Sequence, residues 1–200
     1  MSRRPNPRAE LMRLAVAEEA ARIMGEQGVD DFLQAKRKAA ERLGVTDASI
    51  LPRNTEIEAA LVARQRLFSA ERHEAELAVL RRSALEAMRL MAEFDPRLVG
   101  PVLAGTASAH SEINLHLFSE SAEAVSLRLE ERGVPHEVLE RRLRFERDRM
   151  VAYPALRFVA GRQAVEAVVF PLDGIRQSPC SPVDGKPMRR ASTAEVAALL

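Results

Sequence analysis

The chain changes character at Asp95-Pro96. Before that point, from Arg8 to Phe94, Ala, Glu, Arg and Leu dominate and β-branched residues are few, the composition of amphipathic helices. After it, short apolar or alternating runs are separated by Gly, Pro and Ser, the punctuation of strands. A chain with this break folds as α+β. The expected order is a helical N-terminal region over 1–94, a small mixed β-sheet domain over 95–171, and a proline-rich loop with a short helix over 172–200.

Within the first region Pro7 suits a helix start, and Leu11, Leu14, Ala15, Val16 and Ile23 predict an apolar stripe that Gly25 and Gly28 end. A second helix is predicted after Asp30, through Phe32, Ala35, Ala39 and Leu43 to a stop at Gly44. Val45 to Arg53, with Pro52, reads as a connection. Asn54 is expected to cap a long helical region through Ile57, Leu61, Leu67, Leu77, Leu80, Leu85, Met88 and Met91, broken near Ser69.

Beyond Pro96, Leu98 to Ala104 reads as an apolar strand and Glu112 to Phe118 as an alternating one. Ser121 caps a helix running to Gly133, and strands follow at Val138 to Phe145, Ala155 to Ala160 and Ala164 to Phe170. Gly161-Arg162-Gln163 joins the last two as a hairpin. Pro171 to Arg190, with Pro179, Pro182, Pro187 and two Asp-Gly pairs, is loop draped over the domain, and Ser192 to Leu200 is a terminal helix.

Charge narrows the partners. Against 30 Lys+Arg stand 29 Asp+Glu, so the net charge of +1 gives no chain-wide field toward nucleic acid or an anionic membrane. Every cation except Lys36, Lys38 and Lys186 is arginine, which suits phosphate recognition, although coding from a GC-rich genome gives the same excess. The single Cys180 excludes an internal disulfide framework, and no Cys/His cluster has zinc spacing, so a reducing, cytoplasmic setting is expected. No run approaches the roughly 20 apolar residues that cross a bilayer, so no membrane partner is expected.

Side chains alternate across a strand, so Glu112, Asn114 and His116 share one face and Ile113, Leu115 and Leu117 the other. An antiparallel sheet wet on one side gives the same alternation without a site. The preceding loop, Gly105-Thr106-Ala107-Ser108-Ala109-His110-Ser111, is small and hydroxylated, which lets backbone N–H groups approach a phosphate. His110 beside it is the functional candidate of the two histidines, and His116 reads as a hydrogen-bonded structural residue.

The run Leu98 to Thr106, followed by His110-Ser111-Glu112-Ile113-Asn114-Leu115-His116, resembles the nucleotidyltransferase superfamily of the DNA polymerase beta type. Members end a strand in Gly-Ser or Gly-Thr, cross a loop, and enter a second strand as Ser-Asp-hydrophobic-Asp-hydrophobic. Val165-Glu166-Ala167-Val168-Val169 resembles the later strand that supplies a third carboxylate. The resemblance covers about 98–171 and implies a mixed sheet of nucleotidyltransferase type. It also implies transfer of a nucleoside monophosphate from a nucleoside triphosphate to an unknown acceptor, with Mg²⁺ or Mn²⁺ bridging the phosphates. By position, Glu112, Asn114 and Glu166 take the catalytic, metal-ligand places. Gly105 and Thr106, with His110, Ser111 and Arg157, take the nucleotide-binding ones.

Three departures divide the expectation. Glu112 replaces the first Asp, neutral Asn114 replaces the second, and the loop between Thr106 and Glu112 is short. One negative charge fewer weakens the pull on a cation pair, so the chain reads either as a metal-dependent transferase or as a nucleotide-binding descendant without turnover. If the last two strands align with that of Glu112, Arg157 and Glu166 face the polar side, while Arg142 and Arg144 share a face of their own strand. Convergent arginines bind triphosphate; cross-strand ion pairing on a wet surface uses the same residues.

Two other motifs compete. His110-Ser111-Glu112 and Pro179-Cys180 match parts of a zinc-deaminase signature, but Val183 stands where a second cysteine belongs. Ala39-Ala40-Glu41-Arg42-Leu43-Gly44-Val45, behind Lys36, Arg37 and Lys38, resembles the first helix and turn of a DNA-binding helix-turn-helix. Pro52 interrupts the position of the recognition helix, so a nucleic-acid or protein interaction module is the rival function rather than the favoured one.

Overall fold

The computed structural model describes residues 7–29, 31–68 and 70–200, which form an α+β structure with seven α-helices followed in large part by a five-stranded mixed sheet. They fall into two compact units. One comprises residues up to His73 together with Pro182–Asp184, and the other Glu74–Ser181 and Gly185–Leu200. The unit boundary therefore lies one helix earlier than the compositional break at Asp95-Pro96.

The helical unit packs α1 (Pro7–Gln27) against α2 (Phe32–Arg42) and α3 (Asn54–Phe68). Its core is rich in alanine, with Val16, Ala17, Ala20, Ala21 and Ile23 of α1 meeting Ala35, Ala39, Ile57 and Leu61. Small side chains let helices approach closely, which is why the stripe does not run where leucines predict it. Leu11 and Leu14 are 69% and 55% exposed, a correction to the expected face. Gly25 does not end α1, which continues to Gln27 before Gly28 adopts a left-handed φ of 63°. Asp31 caps α2 by accepting the Gln34 amide, and Gly44 terminates it with φ 65°. Glu19 accepts from Arg22 and from Arg42 of α2, and these bonds hold its carboxyl down at about 2.

Asn54 is not the cap of α3. Glu56 instead accepts the Arg53 amide, the reciprocal half of a capping box, while the Asn54 side-chain amide donates to the Pro182 carbonyl. The expected break at Ser69 lies outside the described residues, with α3 ending at Phe68 and α4 (Ala70–Leu90) beginning after it.

In the sheet unit the strands are β1 (Arg97–Val99), β2 (Ile113–Phe118), β3 (His136–Arg144), β4 (Met150–Ala160) and β5 (Gln163–Phe170), in the order β1-β2-β5-β4-β3. Only β2 and β5 are parallel. One face is apolar across β2, β5 and the adjoining half of β4. Ile113, Leu115, Leu117, Leu156, Phe158, Val165, Ala167 and Val169 pack there with Leu80, Leu85, Met88 and Met91 of α4 and with α6 (Ala122–Glu131), which Ser121 caps. The expected hairpin forms, but its turn is the two residues Gly161–Arg162, and Gln163, read as loop, is already in β5 opposite Ala160.

Leu98 to Ala104 is not one strand. Gly100 has φ 72°, and Pro101 follows at the first turn of α5 (Gly100–Ala104), where its fixed φ and missing N–H suit a helix start. The apolar run is shared, with Leu98 and Val99 buried from β1 and Val102 and Leu103 from α5. The tail makes a 3-10 turn at Leu172–Arg176, bridges Leu98 through Ala191, and ends in α7 (Thr193–Ala197), which Ser192 and Glu195 cap reciprocally. No helix among the described residues is long and apolar enough to cross a membrane.

Candidate functional site

The second face of the sheet is where polar groups gather. Because β2 and β5 run parallel in register Asn114↔Glu166, these two residues stand side by side although α6, β3 and β4 separate them in sequence. Glu112, two residues before Asn114, projects to the same side. The two-residue turn then fixes Arg157 opposite Glu166, and β3 brings Glu137 opposite Arg157. Four strands thus contribute to one row.

Glu112 and Glu166 are each held by an arginine, while Glu137 is exposed at the β3 edge of the row. Arg157 pairs with Glu112. Arg141 engages Glu166 through both Nε and Nη2, a two-point clamp with an Nε–Oε1 distance of 2.6 Å. Glu166 is 7% exposed, whereas the side chains of Arg141 and Arg157 are each 44% exposed. The guanidiniums therefore form the lid of the row, with Glu112 and Glu166 as its floor. Hydrogen bonding to Glu166 raises the pKa of Arg141.

Asn114 is half-buried, and its amide donates to the Glu112 carbonyl at 3.4 Å. Gly100 lies against it: a Cβ at that position would stand 3.1 Å from Asn114 Nδ2. The glycine that ends β1 and faces the polar row is therefore Gly100, which the sequence reading did not single out. Gly105 and Thr106 sit at the other end of α5. The amides of Gly105, Thr106 and Ala107 all donate to the Pro101 carbonyl, at 2.9, 3.0 and 3.3 Å, which is a helix C-terminal cap. Ser111 is buried and its Oγ accepts the Ser108 amide at 3.0 Å, so it closes the loop internally. His110 is exposed at the same loop, its amide 3.4 Å from Ser108 Oγ.

The arginines on β3 are sorted by parity. Arg142 and Arg144 share a face, as expected, but Glu140 and Asp148 pair with them on the side opposite Arg141. Arg141 is the residue that reaches the row. No local pattern marks it, because its partner is fixed only by the register of β3 on β4.

Toward the C-terminal ends of β2 and β5 the same face becomes aromatic. Phe118, Phe145, Ala155, Val168 and Phe170 form a small core, with Tyr153 stacked 4.6 Å from Phe170. His116 lies within it, 3% exposed and 4.6 Å from the Phe170 ring. Arg190 of the tail donates from Nε to His116 Nδ1 at 3.0 Å and from Nη1 to the Gly174 and Ile175 carbonyls, while its guanidinium lies 5.0 and 4.9 Å from the centres of Phe118 and Phe170. Burial, with the Arg190 charge, pushes the imidazole down to about 3, and burial beside Arg97 lowers Arg190 to about 10. His116 is thus a neutral, hydrogen-bonded structural residue.

A divalent pair fits this row poorly. Glu112 and Glu166 supply two negative charges, Arg157 and Arg141 cancel them, and Asn114 supplies none. Cations entering there would have to expel both guanidiniums first. Among the described residues no three His, Cys, Asp or Glu side chains cluster as a metal group. In the helical unit the segment after Gly44 makes a 3-10 turn at Ala48–Ile50, and the next helix begins only beyond Pro52. Comparison with known protein families, with curated proteins and with solved structures returns no match.

Proposed function

We propose that the sheet unit binds a nucleoside triphosphate on the polar face of β2, β4 and β5, as a nucleotide-binding domain of nucleotidyltransferase type that does not transfer a nucleotidyl group by a two-metal route. One observation carries this reading: Asn114 and Glu166 are register partners on parallel strands, with Glu112 on the same side. Groups remote in sequence thereby meet on one face, which supports the convergence this reading requires. The close approach of Gly100 to Asn114 supports the same alignment, since it puts a strand-ending glycine beside the second ligand position.

The chemistry available is recognition. Asn114 offers an amide able to donate and accept, and the arginines offer planar donors suited to phosphate oxygens, one edge of each being paired with Glu112 or Glu166. Glu112 and Glu166 are each engaged by a guanidinium, so neither is placed to take a proton from an acceptor hydroxyl. The test is incubation with each labelled triphosphate and Mg²⁺ or Mn²⁺. Retention of nucleotide without labelled product or labelled protein is expected, whereas turnover to a nucleotidylated acceptor would restore the transferase reading. No retention of any triphosphate would remove the nucleotide reading altogether.

A further inference from the structure

We infer that Arg141 and Arg157 take the place of divalent cations in this row, so that a polyphosphate chain binds here without metal. The inference rests on the nucleotide-binding reading and adds how the charge is met.

Its basis is the way the two guanidiniums are used. A guanidinium has five N–H donors arranged along more than one edge, so one edge can hold a carboxylate while another faces a second anion. Arg141 spends Nε and one Nη2 donor on Glu166, and Arg157 spends Nη2 on Glu112. Neither has a further partner among the described residues, and with side chains 44% exposed both present unused donors to solvent. The carboxylates beneath them are 9% and 22% exposed. An approaching phosphate therefore meets these guanidiniums before Glu112 and Glu166, with the exposed Glu137 beside Arg157 as the one carboxylate at the same level. A metal-ion site has the reverse order, with carboxylates open to the incoming cation.

This arrangement fixes the sign of a substitution. Where carboxylates hold metal, Glu112→Gln weakens nucleotide binding by removing a ligand. Where arginines bind phosphate, Glu112→Gln removes a charge that repels the phosphate and competes for Arg157, so it tightens binding. Calorimetry with ATP and with inorganic tripolyphosphate, each in EDTA and in Mg²⁺, tests the difference on the full chain. Binding in EDTA is expected to persist within about threefold of that in Mg²⁺, with Glu112→Gln tighter by about threefold or more and Arg157→Gln weaker by about tenfold. Because Arg141→Gln alone strands a buried carboxylate, the pair Arg141→Gln with Glu166→Gln supplies a neutral variant of similar shape, also expected to weaken binding about tenfold.

Binding seen only with Mg²⁺ and weakened by Glu112→Gln would overturn the inference and leave the nucleotide-binding reading standing. Binding in EDTA that neither arginine variant alters would overturn it by removing the site. Failure of both probes under both conditions would overturn it along with the reading it rests on. Comparison of ATP with tripolyphosphate then shows how much of the affinity belongs to the phosphates.

Discussion

The two ends of one sheet face use arginine in opposite ways. At the start of β2 and β5, Arg141 and Arg157 sit at the surface paired with carboxylates, and hydrogen bonding to Glu166 raises the pKa of Arg141. At the far end Arg190 lies on two phenylalanine rings, its charge met by carbonyl oxygens and a neutral imidazole. Ionic compensation leaves donors exposed and available. Aromatic and carbonyl compensation buries the guanidinium and fastens the tail to the sheet. The first arrangement is suited to binding, the second to structure.

The largest test of this contrast is acid. With His116 at about 3 in the folded protein and near the ordinary histidine value when unfolded, the unfolded chain binds the extra proton between those limits. Stability is therefore complete above about pH 6.5 and falls as pH drops toward 3, by up to about 1.4 kcal/mol per pH unit. Urea midpoints against pH measure this slope. His116→Asn keeps an acceptor for Arg190 and should flatten it; an unchanged slope would place the acid sensitivity elsewhere.

Next in size is Arg190→Ala, which removes the ring contacts and leaves Gly174, Ile175 and His116 without their donor. A loss of about 2–3 kcal/mol is expected in chemical unfolding, with hydrogen exchange rising at Leu172–Arg176 and along the Leu98–Ala191 bridge. Arg190→Lys should recover less than half, since an ammonium lacks the planar fork. Full recovery would mean that charge alone holds the tail.

At the polar end the expected effects are smaller and unequal. Arg141→Ala leaves Glu166 unpaired and buried and should cost about 2 kcal/mol, whereas Glu166→Gln frees a half-exposed arginine to water and should cost about 1 kcal/mol. A double-mutant cycle on the pair gives the coupling, and equal single costs would show that the carboxylate is less enclosed than its 9% exposure implies. The smallest effect belongs to the helical unit. Replacing Lys36, Arg37 and Lys38 together by Gln should change stability by about 0.5 kcal/mol or less and leave the salt dependence of duplex DNA binding unaltered. Sequence-selective duplex binding that vanished in this variant would transfer the function from the sheet face to the helices.

How far the residues alone disclose this design depends on what fixes each contact. The α2 and α6 boundaries were legible because Asp31 neighbours the expected start, Ser121 is a local cap, and Gly44 is a local stop. Arg157 opposite Glu166 was not legible, since a loop that includes Gln163 would pair Arg157 with Ala167; the turn is two residues, and that sets the register. The break of Leu98–Ala104 into strand and helix was hidden because apolar residues suit both elements, and the deciding pair, Gly100-Pro101, also reads as loop punctuation. The leucines of α1 misled for a different reason: its core face is built from alanine, and Leu11 and Leu14 turn outward. Arg141 and Arg190 were invisible, because their partners are set by strand order and by the path of the tail, neither of which leaves a local sequence signal.

The parallel pairing of β2 with β5 also fixes when the polar row comes into being. Between the two strands the chain must complete α6, β3 and β4, so their pairing closes a long loop and cannot be an early, local event. During synthesis, which exposes the chain from its N-terminus, Glu112 and Asn114 emerge long before Glu166. Until β5 is inserted, β2 has β1 on one side and an unpaired edge on the other. The strand that completes the polar row therefore also covers the free edge of β2, which ties assembly of the row to protection of that edge.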